Sequence, residues 1–294
     1  MITDAPSVEA AVASIYDDSV SITGQRSVSG GCINQTAIVT LSNGETLFLK
    51  ENSARFTDMF IAEAKGLEAL AAAGGPRVPT PFAVHSGAER QFLLMEYIPS
   101  GRLGPGHYED FGHAFAAMHA DNAASAYGFE ADNYIGSTPQ KNPRCKSWVT
   151  FFGEHRLGYQ IRRAARQGLA SSELVRNVET LIGKLASLIP EPEHPSILHG
   201  DLWTGNTMCD GNGAAVMIDP AAYYGHGEAD VAMTELFGRL PGRFYDAYKE
   251  IVPIGAEYAE SRRTIYNLYH ILNHLNLFGS SYAAQALSMT KRFI

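Results

Sequence analysis

Apolar and polar positions alternate along the first hundred residues in a way that predicts strands. A short amphipathic helix is expected near residues 7–16, and an Asn43-Gly44 pair between β-rich segments is a strong hairpin signal. The strands predicted from this alternation are Ser27–Cys32, Thr36–Leu41, Thr46–Lys50 and Gln91–Ile98. The sequence therefore predicts a small N-terminal lobe built on an antiparallel sheet.

From there on, apolar residues recur mainly with the spacing of a helix. A rigid connector at Arg77–Pro81 and a boundary near Tyr97–Leu103 predict two lobes, residues 1–98 and residues 99–294. The predicted helices are Asp58–Ala73 in the first lobe and Tyr108–His119, Val149–Ala165, Ser172–Leu188, Asp230–Phe237 and Arg262–Leu277 in the second. The second lobe is expected to be larger and mostly helical.

Composition narrows the class of protein. The 294 residues are 45% hydrophobic and 18% charged, which is typical of a globular enzyme and atypical of a disordered chain. A formal net charge of −8 disfavours nucleic acid as a partner, because phosphates need clustered Lys and Arg. The N-terminus lacks a signal sequence and apolar runs are too short for a membrane span, which predicts a cytoplasmic protein. The oligomeric state is left open.

The segment Leu198–Asn206 carries the candidate chemistry. Asn206 follows Asp201 by five positions, and Asp219 ends a short apolar run further along. Kinases use an Asp and an Asn at this offset, with a later Asp, to orient an attacking hydroxyl and to hold Mg²⁺ on the phosphates of ATP. A surface turn with capping residues is the alternative. Because all three residues occur in register, we favour catalysis by Asp201 with Asn206 and Asp219 as metal ligands.

The first lobe contains candidates for the other half of an ATP site. Lys50 ends an apolar strand, where an amine needs a partner. On the predicted helix Glu63 projects among the apolar residues and Glu68 points away, so Glu63 is the expected partner. Gly30 and Gly31 lie at a strand break where the backbone could approach a phosphate closely.

Other features allow two interpretations each. Glu96 and Ile98, at the lobe boundary, are candidates to bind adenine through their main chain. Cys32 is expected to fill space, with a redox-active thiol as the alternative. Asp230 is expected to cap a helix and to brace the Asp201 loop, with attraction of a cationic acceptor, together with Glu228, as the alternative. His199 is expected to brace the same loop. Four arginines on one predicted helix are expected to face solvent, with contact to a protein acceptor as the alternative: Arg156, Arg162, Arg163 and Arg166.

Several segments together resemble the fructosamine (ketosamine) kinase family, within the aminoglycoside phosphotransferase and choline kinase group. The resemblance spans nearly the whole chain. The family carries a Trp inside the loop, which is Trp203 here, and its most specific segments are Tyr223-Tyr224-Gly225-His226 behind Asp219 and Asp132–Gly136. Further matching segments are Gly30–Ile33, Asp132–Thr138, Trp148–Phe152, Met233–Gly238 and Tyr266–His274.

The resemblance implies an α+β, bilobal protein-kinase-like fold and a specific reaction. The enzyme would use ATP and Mg²⁺ to phosphorylate the 3-hydroxyl of a ketosamine, free or protein-bound, and so initiate deglycation. Trp203, Tyr224 and His226 would contact this acceptor, although Trp203 could equally pack the loop. The alternatives are a kinase for an aminoglycoside, choline or a sugar, and a non-catalytic nucleotide-binding protein. The absence of carboxylates from Thr264–Leu277 disfavours an aminoglycoside acceptor.

Overall fold

A six-stranded sheet forms the first part of the chain. The computed structural model describes residues 2–28, 34–53, 58–88, 90–121 and 124–294. The strands are β1 (Thr3–Asp4), β2 (Ile22–Val28), β3 (Gln35–Leu41), β4 (Thr46–Ser53), β5 (Pro81–Ser86) and β6 (Arg90–Glu96). They are ordered β1-β5-β6-β4-β3-β2, and every pair is antiparallel except the edge pair β1 and β5. The predicted antiparallel sheet is therefore confirmed, with a parallel strand added at one edge.

Two helices cover the two faces of this sheet. Helix α1 (Val8–Tyr16) is capped by the Ser7 hydroxyl and packs on the face that carries Leu47 and Leu49. Helix α2 (Met59–Ala72) packs on the opposite face. Because side chains alternate along a strand, Lys50 points to the face of α2, away from its neighbour Leu49. This alternation sets up the contact between Lys50 and α2.

The chain after β6 is mostly helical, as predicted. Its helices are α3 (His107–Asp121), α4 (Trp148–Phe151), α5 (Tyr159–Arg166), α6 (Ser172–Lys184), α7 (Gly227–Met233), α8 (Gly242–Ile251), α9 (Arg263–Phe278) and α10 (Ala283–Thr290). Its short strands are β7 (Asn133–Ile135), β8 (Thr138–Gln140), β9 (Ser196–Leu198), β10 (Thr207–Cys209), β11 (Ala215–Met217) and β12 (Tyr223–Gly225). They pair as three antiparallel ribbons, β7 with β8, β9 with β12, and β10 with β11.

Three details differ from the predicted helices. A π-helical stretch, Phe152–Gly158, joins α4 to α5 inside the predicted helix 149–165. Helix α7 begins at Gly227 and ends at Met233, whereas the predicted helix spans Asp230–Phe237. Helices α8 and α10 have no counterpart among the predicted helices.

The two lobes share one hydrophobic core. Phe60 and Leu67 of α2 and Met95 of β6 belong to the same buried cluster as Phe115 of α3 and Leu272 of α9. A smaller cluster lies between α1 and the outer face of the sheet. The division at residues 98 and 99 stays a prediction, since the larger cluster crosses it. Within the described residues, helices that are both long and apolar enough to cross a membrane are absent.

Candidate active site

The loop after β9 is held in an unusual backbone conformation. Gly200 has a φ of +80°, and a Cβ there would lie 2.2 Å from the carbonyl oxygen of Ala221, so only glycine fits. His199 is fully buried, and its Nε2 lies 2.9 Å from the carbonyl oxygen of Ile218. Its Nδ1 accepts a hydrogen bond of 3.3 Å from the backbone N–H of Asp201.

These contacts define the protonation of His199. A carbonyl oxygen can only accept, so Nε2 carries the proton and Nδ1 is the acceptor. Burial lowers the pKa of His199, although the charge of Asp230 opposes this shift. The imidazole is therefore neutral and both nitrogens are occupied, which agrees with the predicted bracing role and leaves His199 without a free base nitrogen.

Asp230 holds the same loop through hydrogen bonds to its backbone. Its carboxylate accepts hydrogen bonds from the backbone N–H of His199 at 2.6 Å and of Gly200 at 2.8 Å. The side chain is 1% exposed. The prediction that Asp230 caps a helix is wrong, because α7 begins three residues earlier and places Asp230 inside the helix. The prediction that it braces the loop is confirmed by these two bonds.

Asp201, Asn206 and Asp219 converge as the sequence predicts. The Nδ2 of Asn206 donates to the backbone oxygen of Asp201 at 2.8 Å and to its Oδ2 at 3.3 Å. The backbone N–H of Ile218 donates to the backbone oxygen of Asn206 at 3.0 Å, which fixes Asp219 relative to this loop. Asp219 itself has a left-handed φ of 57°. A short turn thus joins Asp201 to Asn206, and the β10–β11 ribbon brings Asp219 back to the same loop.

The donor set in this group suits Mg²⁺. Asn206 uses its NH₂ group for both side-chain bonds, which leaves its carbonyl oxygen for other partners, and Asp219 supplies a carboxylate that is 44% exposed. Mg²⁺ prefers such hard oxygen ligands and usually takes the rest of its shell from phosphates and water. Across the described ranges, clusters of three or more His, Cys, Asp or Glu that could hold a metal are absent.

The charges around Asp201 also favour a bound cation. Burial raises the pKa of Asp201 well above its ordinary value, and the negative charges of Asp219 and Asp230 add to this. Burial is the largest cause, and Lys50 already offsets part of the charge of Asp219. A divalent cation held by Asn206 and Asp219 would add positive charge near Asp201 and would oppose this shift.

Lys50 joins the two lobes. Its Nζ lies 2.5 Å from Oε1 of Glu63 and also contacts Oδ1 of Asp219. The Lys50 side chain is only 6% exposed. Burial alone would lower the pKa of Lys50, but the charges of Asp219 and Glu63 outweigh it and raise the pKa, so the amine is charged. Glu68 is exposed on the other side of α2, so the structure contains the predicted pair of Lys50 and Glu63.

Glu96 and Ile98 are the residues predicted to bind adenine through their main chain. The backbone N–H of Glu96 donates to the carbonyl oxygen of Thr80 at 2.8 Å, so its N–H is engaged within the sheet. Its carboxylate binds Arg77 and the N–H of Thr80. Any contribution of Glu96 to adenine would therefore come from its carbonyl oxygen. Ile98 has a buried side chain. Gly30, Gly31 and Cys32 lie outside the described residues.

Trp203 packs within the catalytic loop and also borders its mouth. Its ring meets Phe237 edge to face at 6.1 Å between centroids. A Cβ on Gly205 would lie 2.4 Å from the indole, which shows that the indole lies across this glycine. The packing role that the sequence left open is thus present, and the partly exposed indole still borders the loop that carries Asp201.

Tyr224 and His226 have different surroundings. Because side chains alternate along β12, Tyr223 points into the core and Tyr224 points outward. Tyr224 lines a surface groove of about 350 Å³ beside α2, next to Lys65 and Phe129. His226 Nδ1 lies 2.8 Å from the hydroxyl of Tyr266, and burial, with Arg262 and His119, lowers its pKa to about 3. The predicted acceptor contacts of Tyr224 and His226 stay predictions.

Two further residues, Arg156 and His270, lie near the site. Arg156 is fully buried, with its guanidinium 4.0 Å from the ring centre of Tyr223 and hydrogen bonds of 2.7 Å to Lys141 O and Asn142 Oδ1. The prediction that Arg156 faces solvent is wrong, because the π-helical stretch turns it inward. His270 of α9 lies with Nδ1 3.8 Å from Oδ1 of Asp201. In the sequence His270 is interleaved with apolar residues near the C-terminus, where packing is the main expectation and part of an acceptor pocket is the alternative.

Replacing Gly205 with alanine tests the position of Trp203. The added Cβ would force the indole off the loop, so we expect Gly205→Ala to lower the free energy of unfolding by about 1 to 2 kcal/mol. Tryptophan fluorescence and chemical denaturation measure both effects. Gly211→Ala is a matched control, because a Cβ there meets nothing within 4 Å. If both variants keep the parental spectrum and stability, Trp203 does not lie across Gly205.

Comparison with known proteins identifies first the fold and then the family of this chain. The fold matches an aminoglycoside phosphotransferase solved with ADP and hygromycin B, with a TM-score of 0.67 over 97% of each chain at 15% identity, which identifies a protein-kinase-like fold. The fructosamine kinase family model matches residues 5–294. The chain therefore belongs to the fructosamine kinase family.

Individual relatives agree with this membership. The chain is 44% identical to a provisionally named ketoamine kinase of Synechocystis, covering 91% of this chain and 89% of that protein. It is 41% identical to the chloroplastic protein-ribulosamine 3-kinase of Arabidopsis thaliana, covering 93% and 83%. A crystal structure of a Haemophilus somnus protein, provisionally named a fructosamine-3-kinase, has a TM-score of 0.87 at 28% identity, covering 97% and 96%.

Proposed function

We propose that this protein uses ATP and Mg²⁺ to phosphorylate the 3-hydroxyl of ketosamines, which are sugar adducts of amines or of protein lysines. The observation that carries this proposal is the contact of Lys50 with both Glu63 and Asp219, beside the bonded pair Asp201 and Asn206. In the proposed site, Lys50 would be the phosphate-binding cation, Asn206 and Asp219 the metal ligands, and Asp201 the base. Membership of the fructosamine kinase family supports the choice of acceptor.

In the proposed reaction the acceptor hydroxyl attacks the γ-phosphorus of ATP. Its O–H bond breaks and the proton passes to Asp201, a new phosphorus–oxygen bond forms, and the bond to the β-phosphate oxygen breaks to release ADP. Asn206 and Asp219 would hold Mg²⁺, which when bound screens the phosphate charge. Lys50, held by Glu63, would neutralise the α- and β-phosphates. Positioning and electrostatics supply most of the catalysis.

Trp203 supplies a surface for the acceptor under this proposal. A ketosamine carries a secondary ammonium, and an indole face attracts a cation within about 6 Å of its ring. Trp203 is two residues from Asp201 and partly exposed, so it can contact the group next to the reacting hydroxyl. The phosphorylated adduct would then break down and release the free amine, so the outcome would be deglycation.

A panel of acceptors tests the proposal directly. Release of ADP is measured with Mg²⁺-ATP and fructosyl-, ribulosyl- or erythrulosyl-lysine, with ribose, choline and an aminoglycoside as comparison compounds. We expect turnover only with ketosamines. Faster turnover of choline, free ribose or an aminoglycoside would overturn the assignment in favour of another small-molecule kinase, and no turnover of any acceptor would favour a nucleotide-binding protein without catalysis.

Glu63 and Glu68 form a natural pair for testing the nucleotide site. Glu63→Gln removes the carboxylate that holds Lys50, so we expect kcat/KM for ATP to fall about 10- to 100-fold. Glu68→Gln, five residues along the same helix but exposed, should keep the parental value. Initial rates at varied ATP measure both. Equal effects of the two substitutions would contradict the role of Glu63.

Other features of the proposed function stay predictions from the sequence. They are a cytoplasmic location and the absence of nucleic acid and membrane partners. The oligomeric state is not part of the proposal.

A further inference from the structure

A cluster of buried polar side chains lies next to the segment that follows Asp219. Each member is at most 4% exposed, and together we call them the polar cluster: Asn133, Gln140, Asn142, Arg156 and Tyr269. Polar groups buried in this way cost free energy unless they are hydrogen-bonded. The groups to which these side chains bond are therefore informative about their role.

The amide of Gln140 has one possible orientation. Its Nε2 lies 3.0 Å from the carbonyl oxygen of Ala221 and 2.8 Å from Oδ1 of Asn133. Because a carbonyl oxygen can only accept a hydrogen bond, the NH₂ group of Gln140 must face Ala221. The hydroxyl of Tyr269 then donates to Oε1 of Gln140 at 2.5 Å, so every polar atom of this amide is bonded.

The amides of Asn133 and Asn142 are oriented by the same rule. Arg156 can only donate, and its Nη2 lies 2.7 Å from Oδ1 of Asn142. Nδ2 of Asn142 therefore donates to Oδ1 of Asn133 at 2.9 Å, and Nδ2 of Asn133 donates to the carbonyl oxygen of Ala222 at 2.8 Å. The hydrogen bonds thus form two chains, and both end on backbone oxygens, those of Ala221 and Ala222.

Ala221 is also held against the loop that carries Asp201. Its backbone N–H donates to the carbonyl oxygen of His199 at 2.9 Å. Its oxygen, which accepts the bond from Gln140, lies 2.2 Å from the place that a Cβ on Gly200 would occupy. Ala221 is therefore bonded to the catalytic loop through its N–H and to the polar cluster through its oxygen.

The conformation of Asp219 depends on this anchoring. Its left-handed φ of 57° costs free energy for a residue other than glycine and persists only where the surrounding contacts enforce it. Pro220, whose ring fixes its own φ, is the single residue between Asp219 and the anchored Ala221. On the N-terminal side the backbone N–H of Ile218 bonds to the oxygen of Asn206. Asp219 is thus held from both sides.

We propose that Gln140 and Asn133 are positioning residues for phosphoryl transfer, because they fix the backbone that keeps Asp219 in the conformation in which it can bind Mg²⁺. The inference rests on the proposed function and adds two buried residues that act through Asp219. An apolar residue at either position would leave the oxygen of Ala221 or Ala222 without this partner, and the segment after Asp219 would shift to find another.

Replacing Gln140 with methionine tests the proposal, because methionine has a similar shape but cannot donate a hydrogen bond. We expect the Mg²⁺ concentration that gives half of the maximal rate to rise about tenfold, as is typical when a partner of a metal ligand is lost. Calorimetry with a non-hydrolysable ATP analogue measures binding without turnover. There the gain in affinity from Mg²⁺ should be about tenfold smaller, with the affinity in EDTA unchanged.

Two further variants extend the test. Asn133→Leu removes the bond to Ala222 and should act in the same direction as Gln140→Met. Tyr269→Phe keeps the ring and removes only the hydroxyl that donates to Gln140, so we expect a shift in Mg²⁺ dependence of about threefold. Because its ring still fills the same space, Tyr269→Phe decides the question even where Gln140→Met does not fold.

Two controls separate positioning from stability. Thr138→Val replaces a fully buried hydroxyl on the same face of β8, for which the described part of the chain offers no hydrogen-bond partner, so it should keep all parental values. Val178→Ala, in the buried face of α6, should lower Tm by about 5 °C and leave the Mg²⁺ dependence unchanged.

The contrary outcomes are distinct. Parental Mg²⁺ dependence in folded Gln140→Met with a reduced Tm would overturn the inference, because the polar cluster would then contribute stability alone. An equal loss of affinity with Mg²⁺ and in EDTA would also overturn it, since the whole nucleotide site would be displaced. Absence of ketosamine turnover in the parental protein would instead overturn the proposed function alone, because the calorimetry needs no acceptor.

Discussion

Replacing Asp201 with asparagine is expected to lower kcat by at least about 10³-fold and to leave the affinity for Mg²⁺-ATP within a few-fold of its parental value. Asparagine keeps the shape of the side chain but cannot take the proton of the attacking hydroxyl. The nucleotide contacts proposed here come from Lys50, Asn206 and Asp219, which the substitution does not change. Initial rates and calorimetry with a non-hydrolysable ATP analogue measure the two quantities.

The same measurements on Asp246→Asn provide the control. Asp246 is exposed on α8, so its substitution should change neither quantity. A parental rate in Asp201→Asn would show that another group accepts the proton. A loss of nucleotide affinity as large as the loss of rate would show that Asp201 acts mainly by holding the nucleotide complex.

Replacing Asp230 with asparagine is expected to lower the free energy of unfolding by about 3 kcal/mol, because a buried acceptor of two backbone N–H bonds loses its charge and one of its oxygens. The amide NH₂ would then face one of the two N–H groups of His199 and Gly200. The loop that carries Asp201 should loosen, so we expect kcat to fall about 10²-fold as well. Chemical denaturation and initial rates measure these effects.

Measuring kcat in fully folded Asp230→Asn distinguishes a displaced Asp201 loop from a general loss of stability. At temperatures well below unfolding, a variant that is merely less stable would retain parental kcat. Reduced kcat in protein that is still fully folded by circular dichroism is the result expected from a displaced loop. Parental kcat in folded Asp230→Asn would mean that the two backbone bonds do not position Asp201.

The sequence predicted those parts of the site that lie in short, regular segments. The offset between Asp201 and Asn206 belongs to one turn, and the apolar run before Asp219 belongs to one strand, so local spacing was sufficient. The pair of Lys50 and Glu63 could also be predicted, because an amine that ends an apolar strand needs a partner and helical phase selects Glu63 over Glu68. These predictions depended on periodicity and not on tertiary detail.

The remaining parts depended on tertiary contacts that periodicity does not encode. Arg156 was expected in solvent, but a π-helical stretch shifts the phase of its helix and turns the guanidinium toward Tyr223. Tyr224 lines a surface groove beside α2, a position that depends on the pairing of β12 with β9. His270 sits among apolar residues, and only the packing of α9 against the catalytic loop brings it near Asp201.

The position of the transferred phosphate tests the central claim most directly. The protein is incubated with Mg²⁺-ATP and ribulosyl-lysine, and the product is examined by phosphorus NMR correlated with its proton spectrum. The account predicts a single phosphate ester whose phosphorus couples to the proton on C3 of the sugar. A phosphate on any other oxygen, or ADP release without a phosphorylated ketosamine, would contradict it.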